Sequence, residues 1–309
     1  MSATWKETWL PVVEQNLWEN NYEILKSLAT DDSSNVIRQG LYRKVYIPNA
    51  GTPAAVTVNG TSYPAAKSRR TDVVVDYNVD KFETLPQVVD RDDVLSVSYD
   101  KINSIVQDHV GALGEHMLYT SFGNWFPGVA AANSISTSGA NVPGEATGAT
   151  GNRKAFTVAD VINAKKKLDK QKIKQTGRIM ILPASLANQL LSDLTANGNL
   201  NFTFNETDAG LMKLSQNLFG FEIYMFSTVL NATSAGVLRP IGDAGATTDN
   251  EIGLAYQKEA LSVAKDSVHF FINEGDATEY GDIMSAQAFM GSAIRRTDKK
   301  GIVSIVAAA

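Results

Sequence analysis

The stretch from Val94 to Tyr119 constrains this chain most. Ile102, Ile105, Val106, Val110, Leu113 and Met117 recur at steps of three and four residues, with His109 and Leu118 on or beside the same stripe. That spacing lines one face of an α-helix with apolar side chains. Ser98 suits the N-cap, and Asp100 suits the first turn, where the helix dipole favours a carboxylate. A helix from Ser98 to Tyr119 is on the order of 30 Å long at 1.5 Å per residue. Such a rod suits a flat, layered subunit rather than a short connection. Gly111 and Gly114 each weaken the helix by about 1 kcal/mol relative to Ala, and they leave room for another backbone to approach.

The chain has 309 residues, 44% of them hydrophobic, enough for a substantial core or for two lobes sharing one. No run of about 18 apolar residues is present, so no membrane span is expected. The start, MSATWKETWLPVVEQ, lacks the basic-then-apolar pattern of a signal peptide. Cysteine is absent, which excludes disulfides and thiolate metal sites and fits a cytoplasmic origin. The net charge of −5 argues against a general nucleic-acid binder.

Residues 1–40 read as an arm. Trp5, Trp9, Leu10, Val13, Leu17, Ile24, Leu25 and Leu28 fall near helical spacing, interrupted or started by Pro11. Trp5, Trp9 and Trp18 need a surface to bury against. That surface is either the chain's own domain or a neighbouring subunit, and both readings stay open. Residues 41–93 change period. KVYIPN, AAVTVNG and TDVVVDYNVDKFET alternate and are rich in β-branched residues, so they read as strands. They describe a long two-stranded excursion with a basic tip at Lys67, Arg69 and Arg70. Its base is acidic, with Asp72, Asp76, Asp80, Asp90, Asp92 and Asp93. A hairpin this long and polar has little core of its own and needs partner contacts.

Gly128 to Asn152 is rich in small residues and reads as a mobile loop. Residues 156–229 read as a compact α/β lobe. Thr157 caps a helix with Val158, Val161, Ile162, Ala164 and Leu168 on its apolar face. A buried strand follows over Gly177–Pro183, then the helix ASLANQLLSDL, then a strand over Leu218–Phe226. Beyond Glu251, apolar or alternating segments at 252–256, 268–272, 283–294 and 302–306 should fold back on the long helix, with a hairpin at Gly301.

Signatures of chemistry are missing or incomplete. Gly148-Ala-Thr-Gly151-Asn-Arg-Lys154 has the wrong spacing for a phosphate loop, and the dinucleotide and nucleophile-elbow patterns are absent. His109 and His116 lie seven apart on one helix face without a zinc-protease motif, so packing is favoured over a metal or catalytic role. The Asp cluster between Asp72 and Asp93 lacks ion-loop spacing, which favours solvated edges or inter-subunit ion pairs over Mg²⁺ or Ca²⁺. Lys165, Lys166, Lys167, Lys170, Lys172 and Lys174 make a basic helix face, read first as solvated and second as phosphate-binding. No catalytic, metal or cofactor-binding residue is assigned.

The order of modules resembles the major capsid protein of tailed bacteriophages, the Hong Kong 97 type of shell subunit. Tyr77-Asn-Val-Asp-Lys-Phe-Glu-Thr84 with Asp90-Arg-Asp-Asp93 resembles the strands leading from the extended loop into the spine helix. Phe156 to Asp169 followed by Gly177 to Pro183 resembles the helix–strand–Pro unit of phage coat proteins. Gly220 to Tyr224, Glu279 to Asp282 through Arg295-Arg296, and Gly301 to Ile305 resemble the remaining strands. The resemblance implies an α+β, Hong Kong 97-like capsid fold. Its parts would be an N-terminal arm (1–40), an extended β loop (41–93), a peripheral domain with a long spine helix (94–156 and 251–309) and an α/β axial domain (157–250).

It further implies a non-enzymatic protein that self-assembles as hexamers and pentamers into an icosahedral head around the DNA of a tailed phage. Such a virion capsid is assembled in the bacterial host cytoplasm, with a separate scaffold protein, a portal and decoration proteins as partners, and without cofactor or membrane. Trp5, Trp9, Trp18, Lys67, Arg69, Arg70, Asp90, Asp92 and Asp93 are the expected inter-subunit contacts, the basic loop tip meeting acidic residues of an adjacent subunit. The alternatives are an encapsulin-like compartment shell enclosing protein cargo and, from another class, an Asp- and metal-dependent hydrolase.

Overall fold

The computed structural model describes residues 22–39, 42–49, 56–61, 63–64, 67, 69–90, 101–198, 201–207, 212–227, 230–276 and 278–308, together with Pro11, Val13 and Leu17. In chain order α1 (Glu23–Leu28) is followed by β1 (Thr30–Asp31), β2 (Val36–Gln39), β3 (Tyr42–Asn49), β4 (Val73–Asn78), β5 (Asp80–Glu83) and β6 (Gln87–Asp90). The long helix α2 (Lys101–Asn124) leads to β7 (Ser134–Ser136), β8 (Asn141–Pro143) and β9 (Asn152–Lys154). Next come α3 (Val158–Lys170), β10 (Arg178–Pro183) and α4 (Ala184–Ala196). The remainder is strand: β11 (Phe204–Glu206), β12 (Met212–Leu214), β13 (Phe221–Phe226), β14 (Leu230–Ala232), β15 (Asn250–Gln257), β16 (Leu261–Asp276), β17 (Gly281–Ile294) and β18 (Ile302–Val306).

An eight-stranded sheet in the order β11-β12-β13-β10-β15-β18-β7, with β14 beside β15, forms the centre. Strand β10 lies parallel to β13 and antiparallel to β15, Met180 facing both Ile223 and Ala255. Every residue of β10 is buried. Successive side chains of a strand point to opposite faces, so each strand feeds two cores. Ile179, Ile181, Tyr224, Phe226, Leu254 and Tyr256 go to one. Met180, Leu182, Phe221, Ile223, Val303 and Ile305 go to the other, where Val161, Ala164 and Leu168 of α3 and Leu186, Leu190 and Leu194 of α4 cover them.

Helix α2 covers the first face. Ile105, Val106, Val110, Leu113 and Met117 are buried, whereas Gln107, Asp108, Ala112, Glu115 and His116 are exposed. The buried stripe also meets the hairpin β16–β17 through Phe270, Met284, Ala286, Ala288 and Met290. Just past the helix, Trp125 is fully buried and donates from Nε1 to the Ser262 carbonyl at 3.2 Å. Its ring lies 6.2 Å from Tyr256 and 5.7 Å from Phe122, which in turn sits edge-on to Phe226 at 4.8 Å. One side chain thereby ties the helix, the hairpin and the central sheet together.

The described part of the arm lies on the chain's own core. Val13, Leu17, Tyr22, Leu25 and Leu28 are fully buried in the cluster that holds α2. Ser98 and Asp100, the expected cap residues, lie outside the described residues, and the helix continues to Asn124 rather than ending at Tyr119. Among the described residues no backbone uses the room that Gly111 leaves.

The expected loop at Gly128–Asn152 holds β7 and β8 and leads into β9. Arg153 fixes it from within, donating to Asn250 Oδ1 at 2.7 Å and to the carbonyls of Thr247 and Asp249 at 3.1 and 3.0 Å. Buried Asp160 adds a second tie, accepting from the Ser138 hydroxyl at 2.7 Å and from the Thr157 backbone N–H at 3.0 Å. Long-range anchoring of this kind leaves no trace in local composition. Ile162, expected on the apolar face of α3, is 44% exposed, because that face is set by the sheet and α4 rather than by spacing alone. The turn at Gly301 does not close a hairpin: β17 and β18 belong to different sheets. Residues 56–60 of AAVTVNG form no strand.

Two measurements probe this packing. Trp125→Ala removes the shared plug and should destabilise the monomer by about 3–5 kcal/mol in denaturant titration. His109 is buried, with no hydrogen-bond partner for Nε2 among the described residues, and burial, opposed by Asp108, pushes its pKa below the ordinary 6.5. The unfolded chain therefore takes up this proton at higher pH than the folded chain does. The stability it contributes is complete above about 6.5 and is lost as pH falls through the depressed folded value. His109→Leu should flatten that acid-side loss in melting experiments between pH 7 and 5.

Candidate assembly interface

The extension following the arm is built on a small three-stranded sheet, β2-β3-β4. The sequence pattern suggested two strands; the third comes from Val36–Gln39 of the arm, which pairs with β3 from Val36↔Val45 to Gln39↔Tyr42. Alternation gives this sheet an inner and an outer face. Val45, Ile47, Tyr77 and the adjoining Val79 pack inward over Ala264. Tyr77 and Ser262 share a hydroxyl hydrogen bond of 2.7 Å. Asp266 of β16 is clasped by Arg38 and, at 2.8 Å, by Arg43, whose guanidinium lies 3.4 Å from the Phe289 ring centre.

Two glycines seat the base of the extension on β17. A Cβ on Gly281 would come within 2.2 Å of the Val89 carbonyl oxygen, and one on Gly291 within 2.6 Å of the Asn78 carbonyl oxygen. The strands that lead back toward α2 can lie against the hairpin only because those side chains are missing.

No described element covers the outer face. Ile37, Tyr42 and Tyr46, with Gln39 and Lys44, line a groove of about 350 Å³. Farther out, Val56, Val58 and Tyr63 are 88%, 80% and 81% exposed. Ten of the fifteen large apolar side chains exposed among the described residues fall between Ile37 and Val88. Apolar surface concentrated in this way marks a contact surface.

The charged residues expected to meet a neighbour divide into several groups. Arg70 spends its charge within the loop, on Asp72 at 2.5 and 3.1 Å. Lys67 and Arg69 are exposed and make no ion pair among the described residues. Asp76 pairs with Lys44 at 2.8 Å, a hydrogen bond that lowers its pKa, and Glu83 is lowered in the same way by Lys81. Asp80 is shifted upward by burial. Asp90 is exposed at the end of β6. Trp5, Trp9, Trp18, Asp92 and Asp93 lie outside the described residues.

A second groove, about 520 Å³, runs between β5–β6 and α2, lined by Phe82, Leu85, Asp108, His109, Leu113 and His116. Among the described residues no group of three or more His, Asp or Glu side chains is arranged to hold a metal. No described helix is long and apolar enough to cross a membrane. Sequence reasoning missed the outer face of β2-β3-β4. Its signal was the alternation of Tyr42, Lys44 and Tyr46 against Arg43, Val45 and Ile47.

No protein-family model and no curated protein matches the sequence. Solved structures do. The capsid of cyanophage P-SCSP1u is 15% identical, with 92% of this chain and 88% of that chain covered and a TM-score of 0.61. The capsid of Ralstonia phage GP4 is 11% identical, with 91% and 87% covered and a TM-score of 0.61. A virus-like particle from Pyrococcus furiosus is 11% identical, with 97% and 99% covered and a TM-score of 0.55. Over nine-tenths of its length, this chain has the Hong Kong 97-like fold of tailed-phage capsid subunits.

Proposed function

We propose that this chain is the major capsid protein of a tailed bacteriophage. It is a structural subunit, not an enzyme, and it assembles with copies of itself into hexamers, pentamers and then an icosahedral head that encloses DNA. The observation that carries the reading is the extension, which together with the strands at its base holds ten of the fifteen large apolar side chains that the described residues expose. A lone subunit gains nothing from exposing them. A closed shell covers each by a neighbour, and many weak heterologous contacts then act together.

On this reading residues 41–93 are the extended loop, 94–156 with 251–309 the peripheral domain and 157–250 the axial domain. Strands from both later segments share the central sheet, so the two domains would move as one body about it. Trp5, Trp9, Trp18, Asp90, Asp92 and Asp93 join Lys67 and Arg69 as proposed inter-subunit contacts. Assembly would take place in the host cytoplasm, with scaffold, portal and decoration proteins as partners.

Negative-stain electron microscopy of the chain expressed with its scaffold should show uniform shells, or hexameric and pentameric rings. A compact small oligomer that never assembles and hydrolyses a substrate with added metal overturns the reading. Shells that copurify with protein cargo instead of DNA favour a compartment of the encapsulin type. Reversing the loop tip by Lys67→Glu with Arg69→Glu should lower particle yield several-fold while leaving the melting temperature of the monomer unchanged. Unchanged yield refutes the tip contact.

A further inference from the structure

One charged surface plays no part in the packing or in the proposed subunit contacts. It surrounds the C-terminal half of α3. Lys166 and Lys170 are exposed one helical turn apart, roughly 6 Å between Cβ atoms. Lys172 follows in the turn and is also exposed. Gln171, between the last two, accepts from the Gly301 backbone N–H at 2.9 Å, which brings the turn carrying Lys300 beside them.

The acids nearby are already engaged. Asp169 holds Arg178 at 2.7 Å, Glu259 holds Lys174 at 3.1 Å, and Asp298 lies 2.7 Å from Arg296 and 3.5 Å from Lys300. Lys166, Lys170 and Lys172 make no ion pair among the described residues. The cationic crowding shows on Lys167, whose pKa is lowered first by burial and then by the charge of Lys170.

Lys172 ends α3 in the left-handed conformation, φ +57°, of a helix C-terminal turn, with the Ile173 N–H bonded to the Leu168 carbonyl at 3.2 Å. Lys299 on the neighbouring turn donates to the Pro127 carbonyl at 3.1 Å and is not part of the open surface.

We propose that the surface formed by Lys166, Lys170 and Lys172 of the α3 terminus, with Lys300 beside it, is a docking site for the phosphate backbone of duplex DNA. The naming of DNA as the polyanion rests on the shell reading; the surface itself does not. Lysine ammonium groups act as point charges and track a phosphate chain without the fixed fork that arginine gives a single carboxylate. The acidic strand of a second copy is the weaker occupant, because Asp72, Asp76 and Glu83 already hold cations of their own chain. Contacts to phosphate carry no base information, so binding at this patch is sequence-independent.

The test is fluorescence anisotropy of a labelled random-sequence duplex against the full chain, titrated with salt. The triple variant Lys166→Gln, Lys170→Gln, Lys172→Gln is compared with the control Lys26→Gln, Lys81→Gln, Lys213→Gln, which makes the same change in net charge elsewhere. Each lost phosphate contact should reduce the slope of log affinity against log salt by ~0.9, so the triple variant should lose about 2 to 3 and bind at least about tenfold more weakly at low salt. Its melting temperature should not move, because the three side chains are exposed. An unchanged slope in the triple variant, or an equal loss in the control, overturns the proposal. So does poly-glutamate competing as well as DNA per charge, which would assign the surface to an acidic polypeptide. Microscopy of the same preparations separates the two readings: shells without the salt effect sink only the DNA site, and the salt effect without shells sinks only the capsid.

Discussion

The structure depends on burying both faces of one sheet. A strand such as Arg178–Pro183, buried at every position, needs cover on two sides. Helices α3 and α4 cover one face; α2, the hairpin β16–β17 and the start of the chain cover the other. Trp125 sits where the second set meets, hydrogen-bonded to the hairpin and packed on Tyr256 of the sheet. The long helix is therefore a clamp as much as a spine, its buried stripe packed on both the sheet and the hairpin.

Once that body is closed, the extension has little left to bury itself in. Its small sheet gives one face to Ala264 and its neighbours, and the salt-bridged Asp266 fixes its direction. The other face and the tip expose Ile37, Tyr42, Tyr46, Val56, Val58 and Tyr63 with no cover among the described residues. A surface of this kind suits a protein whose native environment is other copies of itself. In the proposed shell, symmetry completes the burial that the described part of a single chain does not provide.

The charges divide along similar lines. Acidic residues near the extension are largely neutralised within the chain, by Lys44, Arg70 and Lys81. Lys166, Lys170 and Lys172 at the end of α3 make no ion pair among the described residues, since Asp169 is turned to the buried Arg178. The same fold thus presents a largely self-satisfied, apolar extension and a separate cationic turn.

Much of this was legible in the order of residues. The three- and four-residue steps from Ile105 to Met117 gave the helix and its buried side, and the unbroken apolar run Ile179–Leu182 gave a buried strand. Both signals are local, because period and burial follow from backbone geometry. The anchored segment around Arg153, the exposure of Ile162, the crossing between sheets at Gly301 and the uncovered face of Tyr42 and Tyr46 were not legible. Each depends on partners distant in the chain: Arg153 on residues 247–250, Gly301 on Gln171, and the outer face on the lack of any facing element among the described residues. The sequence by itself determined the long helix with its buried stripe, the two helices of the lobe and the buried strand between them, because those signals are local. Only the tertiary structure decided which apolar sides find cover within the subunit, because that depends on long-range packing that periodicity does not encode.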